Sequence, residues 1–150
     1  MTAPAPDRQL LAERAAQALY APDRASQSLG MRILAIAPLD CTVTMTVRAD
    51  MTNGHAICHG GIIFTLADSA FAFACNSEGE ATVAASASID FLAAAREGDE
   101  LTARARELWR GGRSGIYEVT VRNQAGATIA LFRGRSHRIG SRPSNTQDSP

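Results

Sequence analysis

Between Cys41 and Arg48 the chain alternates strictly: Cys41, Val43, Met45 and Val47 are apolar, and Thr42, Thr44, Thr46 and Arg48 are polar. A period of two predicts a strand with one buried face. The stretch His59–Ala74 (HGGIIFTLADSAFAFA) behaves differently. Ile62, Ile63, Phe64, Leu66, Ala67, Ala70, Phe71 and Phe73 fall on every side of a 3.6-residue period. The pattern predicts a helix from about Gly61 to Asn76 that is buried all round. Asp68 is the single carboxylate in that run.

The rest of the chain reads around this helix. Leu10, Leu11, Ala15, Ala18 and Leu19 form a helical stripe over residues 7–20, with Asp7 as N-cap and Pro22 just beyond the end. Residues 31–37 read as a strand, and residues 50–60 as a loop with an Asn53-Gly54 turn. Four more strand-like segments follow, at 82–91, 99–109, 114–123 and 128–138. Gly98, Gly111-Gly112 and Ala125-Gly126 stand between them, and such short Gly turns favour antiparallel neighbours. The implied architecture is α+β, an antiparallel sheet of about six strands curled around one long helix. A sheet covers only one side of a helix, so the remaining apolar surface calls for a second copy of the chain, at least a homodimer. Residues 1–6 read as loose and 141–150 as a disordered tail.

At 150 residues the chain suits one domain with a sizeable core. Its 15 basic residues, all Arg, balance 15 acidic ones, so there is no basic surplus to suggest nucleic acid. No apolar run approaches a membrane span, and the first residues do not resemble a signal peptide. The odd count of 3 cysteines (Cys41, Cys58, Cys75) fits free thiols in a reducing compartment, hence a cytoplasmic protein. His55, Cys58 and His59 are close in sequence but lack a second ligand cluster, so no metal site is expected.

Asp68 carries the chemistry. A buried carboxylate finds partners, shifts its pKa or faces a cavity. Thr65 and Ser69 are its polar neighbours on the helix, and no Arg stands at helical spacing. One reading is a local cap or pair; the other is a site. At the helix start, "CHGG" leaves backbone N–H groups near Gly60 and Gly61 without intrahelical acceptors, in the field of the helix dipole. That suits a developing oxyanion, although an ordinary Gly-rich helix entry has the same sequence. Gly60 and Asp68 are roughly 12 Å apart along the axis. An antiparallel pair of these helices would bring Asp68 of one chain to Gly60 of another, building two shared sites.

The stretch "NGHAICHGGIIFTLADSAFAFACNS", followed by "SASIDFL" and "LFRGRSHRIG", resembles the hotdog-fold thioesterases, and within them the PaaI-type phenylacetyl-CoA thioesterases. The similarity spans about Leu10 to Gly140, so residues 1–140 are expected to form one hotdog thioesterase domain. The resemblance implies a cofactor-free hydrolase acting on phenylacetyl-CoA or hydroxyphenylacetyl-CoA in phenylacetate catabolism. It implies Asp68 as nucleophile or general base, Gly60 as oxyanion donor, and His59 and Asn53 as orienting groups. Ser86 stands where relatives carry a water-positioning hydroxyl; a small residue packed in a strand is the other reading. It also implies a homodimer with shared sites, assembled into a homotetramer. One departure is Ala93-Ala94-Ala95, where the family often has a basic residue and Pro.

A CoA substrate brings phosphates, for which Arg110, Arg113, Arg135 and Arg138 are candidates, each otherwise a solvated surface Arg. Phe64, Leu66 and Phe71 are candidate acyl-pocket residues, each otherwise plain core. Two alternatives accompany this reading: a broad-specificity aryl- or acyl-CoA thioesterase, and a non-catalytic acyl-CoA-binding sensor. The sensor gains nothing from a buried acid, and the chain has no helix-turn-helix.

Overall fold

The computed structural model describes residues 7–141. Residues 1–6, and 142–150 of the expected tail, lie outside them. Ser141 belongs to a strand and not to a tail. The elements are α1 (Arg8–Tyr20), α2 (Arg24–Ser28), β1 (Arg32–Ala37), β2 (Asp40–Thr46), a 3-10 turn (Ala49–Met51), α3 (Gly60–Cys75), β3 (Glu80–Phe91), β4 (Glu100–Gly111), β5 (Ser114–Arg122) and β6 (Thr128–Ser141).

The expected α+β arrangement is the one adopted. Six antiparallel strands form a sheet in the order β1-β2-β4-β5-β6-β3, and α3 packs against every strand. The alternation in β2 buries Cys41, Val43 and Met45. They meet Leu101, Ala103 and Ala105 of β4 in register and lie under Leu66, Ala67 and Ala70 of α3 in one core.

α1 begins at Asp7, whose carboxylate accepts from the N–H groups of Gln9 and Leu10. The short α2 was not legible in the hydrophobic pattern. Asp23 caps it, accepting from the Ser26 N–H at 2.9 Å and from Ser26 Oγ at 2.6 Å. Ser26 Oγ in turn lies 2.9 Å from Ser69 Oγ, tying α2 to α3.

Burial of α3 is less complete than its composition predicts. Ile63, Leu66, Ala67, Ala70, Phe71, Phe73, Ala74 and Cys75 are buried. Gly61 is exposed, and Thr65, Asp68 and Ala72 are only half-buried. These four positions, spaced by four, three and four, form one continuous stripe on a helix. The sheet covers the opposite face, so one flank of α3 remains accessible.

The two sheet edges are β1 and β3. β3 is 12 residues long, and from Val83 to Ser88 every residue is exposed. A long exposed edge strand presents unpaired backbone groups that can template another strand.

Candidate active site at the α3 flank

The loop before α3 is organised by Asn53. Its Oδ1 accepts from the N–H of His55 at 2.9 Å, and its backbone N–H donates to Ile57 O at 2.8 Å. His59 N–H then donates to Met51 O at 2.8 Å. These contacts fix the entry to the helix, where His59 is the N-cap.

His59 Nδ1 accepts from the Gly61 N–H at 2.9 Å, while Ile62 and Ile63 donate to His59 O. An accepting Nδ1 puts the imidazole proton on Nε2. Among the first-turn donors of α3, the Gly60 N–H is left without an acceptor in the described chain. It is therefore the group free to meet an oxyanion. Phe91 crowds this position: a Cβ on Gly60 would stand 3.0 Å from its ring, which would have to give way by a few tenths of an ångström. Phe91 ends β3 and is itself 52% exposed.

Asp68 sits two turns further on, in the accessible stripe. Its carboxylate has no hydrogen bond or ion pair among the described residues. Burial, unopposed by any partner, pushes its pKa above the usual carboxylate value. It lines an open cavity of about 340 Å³ between α1, α3, β3 and β6, with Leu19, Phe71, Ala72, Val83 and Ile139 among the walls. An unpaired, half-buried acid facing an apolar cavity is a poor structural element and a good proton acceptor.

The other candidates distribute unevenly. Phe71 lines the Asp68 cavity and packs tilted against Tyr117 at 5.3 Å and Phe132 at 5.9 Å. Phe64 is half-buried and meets Phe132 edge-on at 5.3 Å. Leu66 is fully buried in the core and does not line the Asp68 cavity. Ser86 is exposed on the β3 edge, paired in register with Arg135.

The four arginines do not form one set. Arg110, Arg113 and Arg138 converge on a small hollow beyond Cys75. Arg110 is held there by Glu78 at 2.7 Å and Glu107 at 3.1 Å, and Arg138 by Glu80. Arg135 lies on the opposite face of β6, as its exposure between buried Gly134 and Ser136 shows. Arg113 and Arg135 make no ion pair among the described residues.

The thiols of Cys41 and Cys75 are buried and pushed up to about 12 by desolvation, which makes them inert. No group of three His, Cys, Asp or Glu side chains that could hold a metal ion occurs among the described residues.

Comparison with known proteins agrees with this geometry. Residues 55–130 match the family model of the thioesterase superfamily. The acyl-coenzyme A thioesterase PaaI of Escherichia coli is 50% identical over 125 residues, covering 83% of this chain and 89% of that protein. The structure of the E. coli PaaI protein, from the phenylacetic acid degradation operon, superposes with a TM-score of 0.88 at 47% identity, covering 90% of this chain and 98% of that one. A Streptococcus mutans protein solved with acetyl-CoA superposes with a TM-score of 0.72 at 28% identity, covering 75% and 90%. The chain belongs to the thioesterase superfamily, as a hotdog-fold acyl-CoA thioesterase.

Proposed function

We propose that this enzyme hydrolyses phenylacetyl-CoA, or its ring-hydroxylated forms, to the free acid and CoA in phenylacetate catabolism. The observation that carries the reading is the unpartnered Asp68 carboxylate in an apolar cavity. The likeness to PaaI supports the choice of acyl group.

The reaction adds a water oxygen to the thioester carbon and breaks the C–S bond; the leaving thiolate takes up a proton. Asp68 accepts the proton of the attacking water, or attacks first and is released by water. The Gly60 N–H stabilises the oxyanion of the tetrahedral intermediate. His59 and Asn53 orient the loop that carries it, and Ser86 offers a hydroxyl for the water. Roughly 12 Å of helix separates Gly60 from Asp68, so Asp68 works with Gly60 of the partner subunit in a shared site. The exposed β3 edge and the uncovered α3 stripe support a homodimer, and the family resemblance supports a pair of dimers. Arg113 and Arg135, free of ion pairs among the described residues, are the better candidates for CoA phosphates. Residues 1–140 act as one cytoplasmic thioesterase unit.

The test is thiol release from phenylacetyl-CoA, hydroxyphenylacetyl-CoA, benzoyl-CoA, acetyl-CoA and a medium-chain acyl-CoA. Preference for the first two supports the proposal. Activity spread over aliphatic thioesters contradicts the phenylacetyl assignment, and tight binding without release contradicts hydrolysis.

A further inference from the structure

We propose that Leu19, on the N-terminal helix α1, determines which acyl groups the enzyme accepts; the inference rests on the thioesterase reading above. The cavity beside Asp68 is walled on one side by α3 and on the other by β3 and β6, and Leu19 is the residue that α1 contributes. Apart from Asp68, its polar lining is already satisfied. Asn76 Nδ2 donates to Ala72 O and Thr82 O, both at 2.9 Å, and its Oδ1 accepts from Thr82 N–H at 3.0 Å. Thr82 Oγ1 donates to Glu80 O at 2.9 Å. The walls therefore favour an apolar group. An enclosed apolar cavity of about 150 Å³ is enough for benzene, and this open one, at about 340 Å³, has the volume for a phenyl ring and its methylene.

The side chains of α1 are the adjustable wall. Only Ala12 and Ala16 of α1 are buried. The helix is tied at its start by Arg8 to Glu78 at 2.7 Å and near its end by Tyr20 Oη to Met31 O at 2.6 Å. A second hollow of about 170 Å³, under Leu11 and Ala15, meets the first at Asn76. Because Asn76 is fixed by three hydrogen bonds, it is the floor that separates them. Asn76 closes the site on that side, and the size of residue 19 sets how bulky an acyl group the site can take. Leu19 packs beside α3 without supplying any group to the reaction.

The test uses Leu19→Trp and Leu19→Ala, with melting temperatures as a fold control. Leu19→Trp should lower kcat/KM for phenylacetyl-CoA by about tenfold or more, and change that for acetyl-CoA by much less. Leu19→Ala should shift preference towards bulkier acyl groups. Calorimetric binding of two inert thioethers, the 2-oxo-3-phenylpropyl and 2-oxopropyl derivatives of CoA, reads the same ratio without turnover. An unchanged ratio in both variants, or an equal loss for both acyl groups, overturns the proposal. Absence of thiol release from the wild-type enzyme would instead overturn the hydrolase reading, and the binding ratio would still decide the role of Leu19.

Discussion

His59 Nδ1 accepts the Gly61 N–H at 2.9 Å, which occupies one of the first-turn donors of α3. With Gly61 occupied and Ile62 and Ile63 turned to His59 O, only the Gly60 N–H of the first turn points at no acceptor. The His59 side chain and its carbonyl together thus cap the first turn and leave one donor over.

Replacing His59 by Ala removes the cap and should cost about 1 kcal/mol of stability, read as a lower urea midpoint. His59→Asn should recover most of it, because an Asn oxygen can accept the same N–H. An unchanged midpoint in His59→Ala would show that the bond contributes nothing.

Asp68 should be a stability liability. Burial raises its folded pKa above the unfolded value of 3.8, so the folded state holds its proton more tightly than the unfolded state does. The penalty is fully present above the folded pKa and vanishes below about 3.8. Asp68→Asn should therefore melt higher than wild type at pH 7, and the gap should close as the pH falls to the unfolded value. A variant that melts lower at pH 7 would mean that the carboxylate is structurally paired.

Glu78 should behave in the opposite way. Burial alone would raise its pKa, but hydrogen bonds from Arg110 and then Arg8 outweigh that and hold it below 4.5. Its contribution is present above the unfolded pKa and is lost as the pH falls through the folded one. Glu78→Gln should thus destabilise at pH 7 and approach wild type in acid. A stability gap independent of pH would contradict the ion pairs.

The placement of the Phe71 wall can be tested through Gly134. A Cβ there would stand 2.8 Å from the ring of Phe71, so the ring would have to move towards the cavity it lines. Gly134→Ala should cost about 1–3 kcal/mol and lower activity by displacing Phe71. Wild-type stability would show that the ring is free to shift.

Much of this was legible in the sequence because it is local. The alternation at Cys41–Arg48 and the dense apolar run of α3 specify their elements within one strand and one helix. Asp68 stood out because no basic residue shares its helix face. What escaped was non-local. Arg110 and Arg138 find the carboxylates of Glu78 and Glu80, 32 and 58 positions away, and those two ion pairs cannot be read from spacing. Leu66 and Phe71 look alike in the α3 pattern, yet one is sealed beneath the sheet and the other opens onto a cavity. Only the direction in which the sheet approaches α3 separates them. Leu19 escaped for the same reason, since an amphipathic stripe on α1 does not reveal what it faces.

The most direct measurement is thiol release from phenylacetyl-CoA by wild-type and Asp68→Asn enzyme at pH 7, with melting temperatures recorded on the same samples. Asp68→Asn should lose at least about 100-fold in kcat while melting no lower than wild type. Full activity in a folded Asp68→Asn protein would contradict the catalytic role of Asp68.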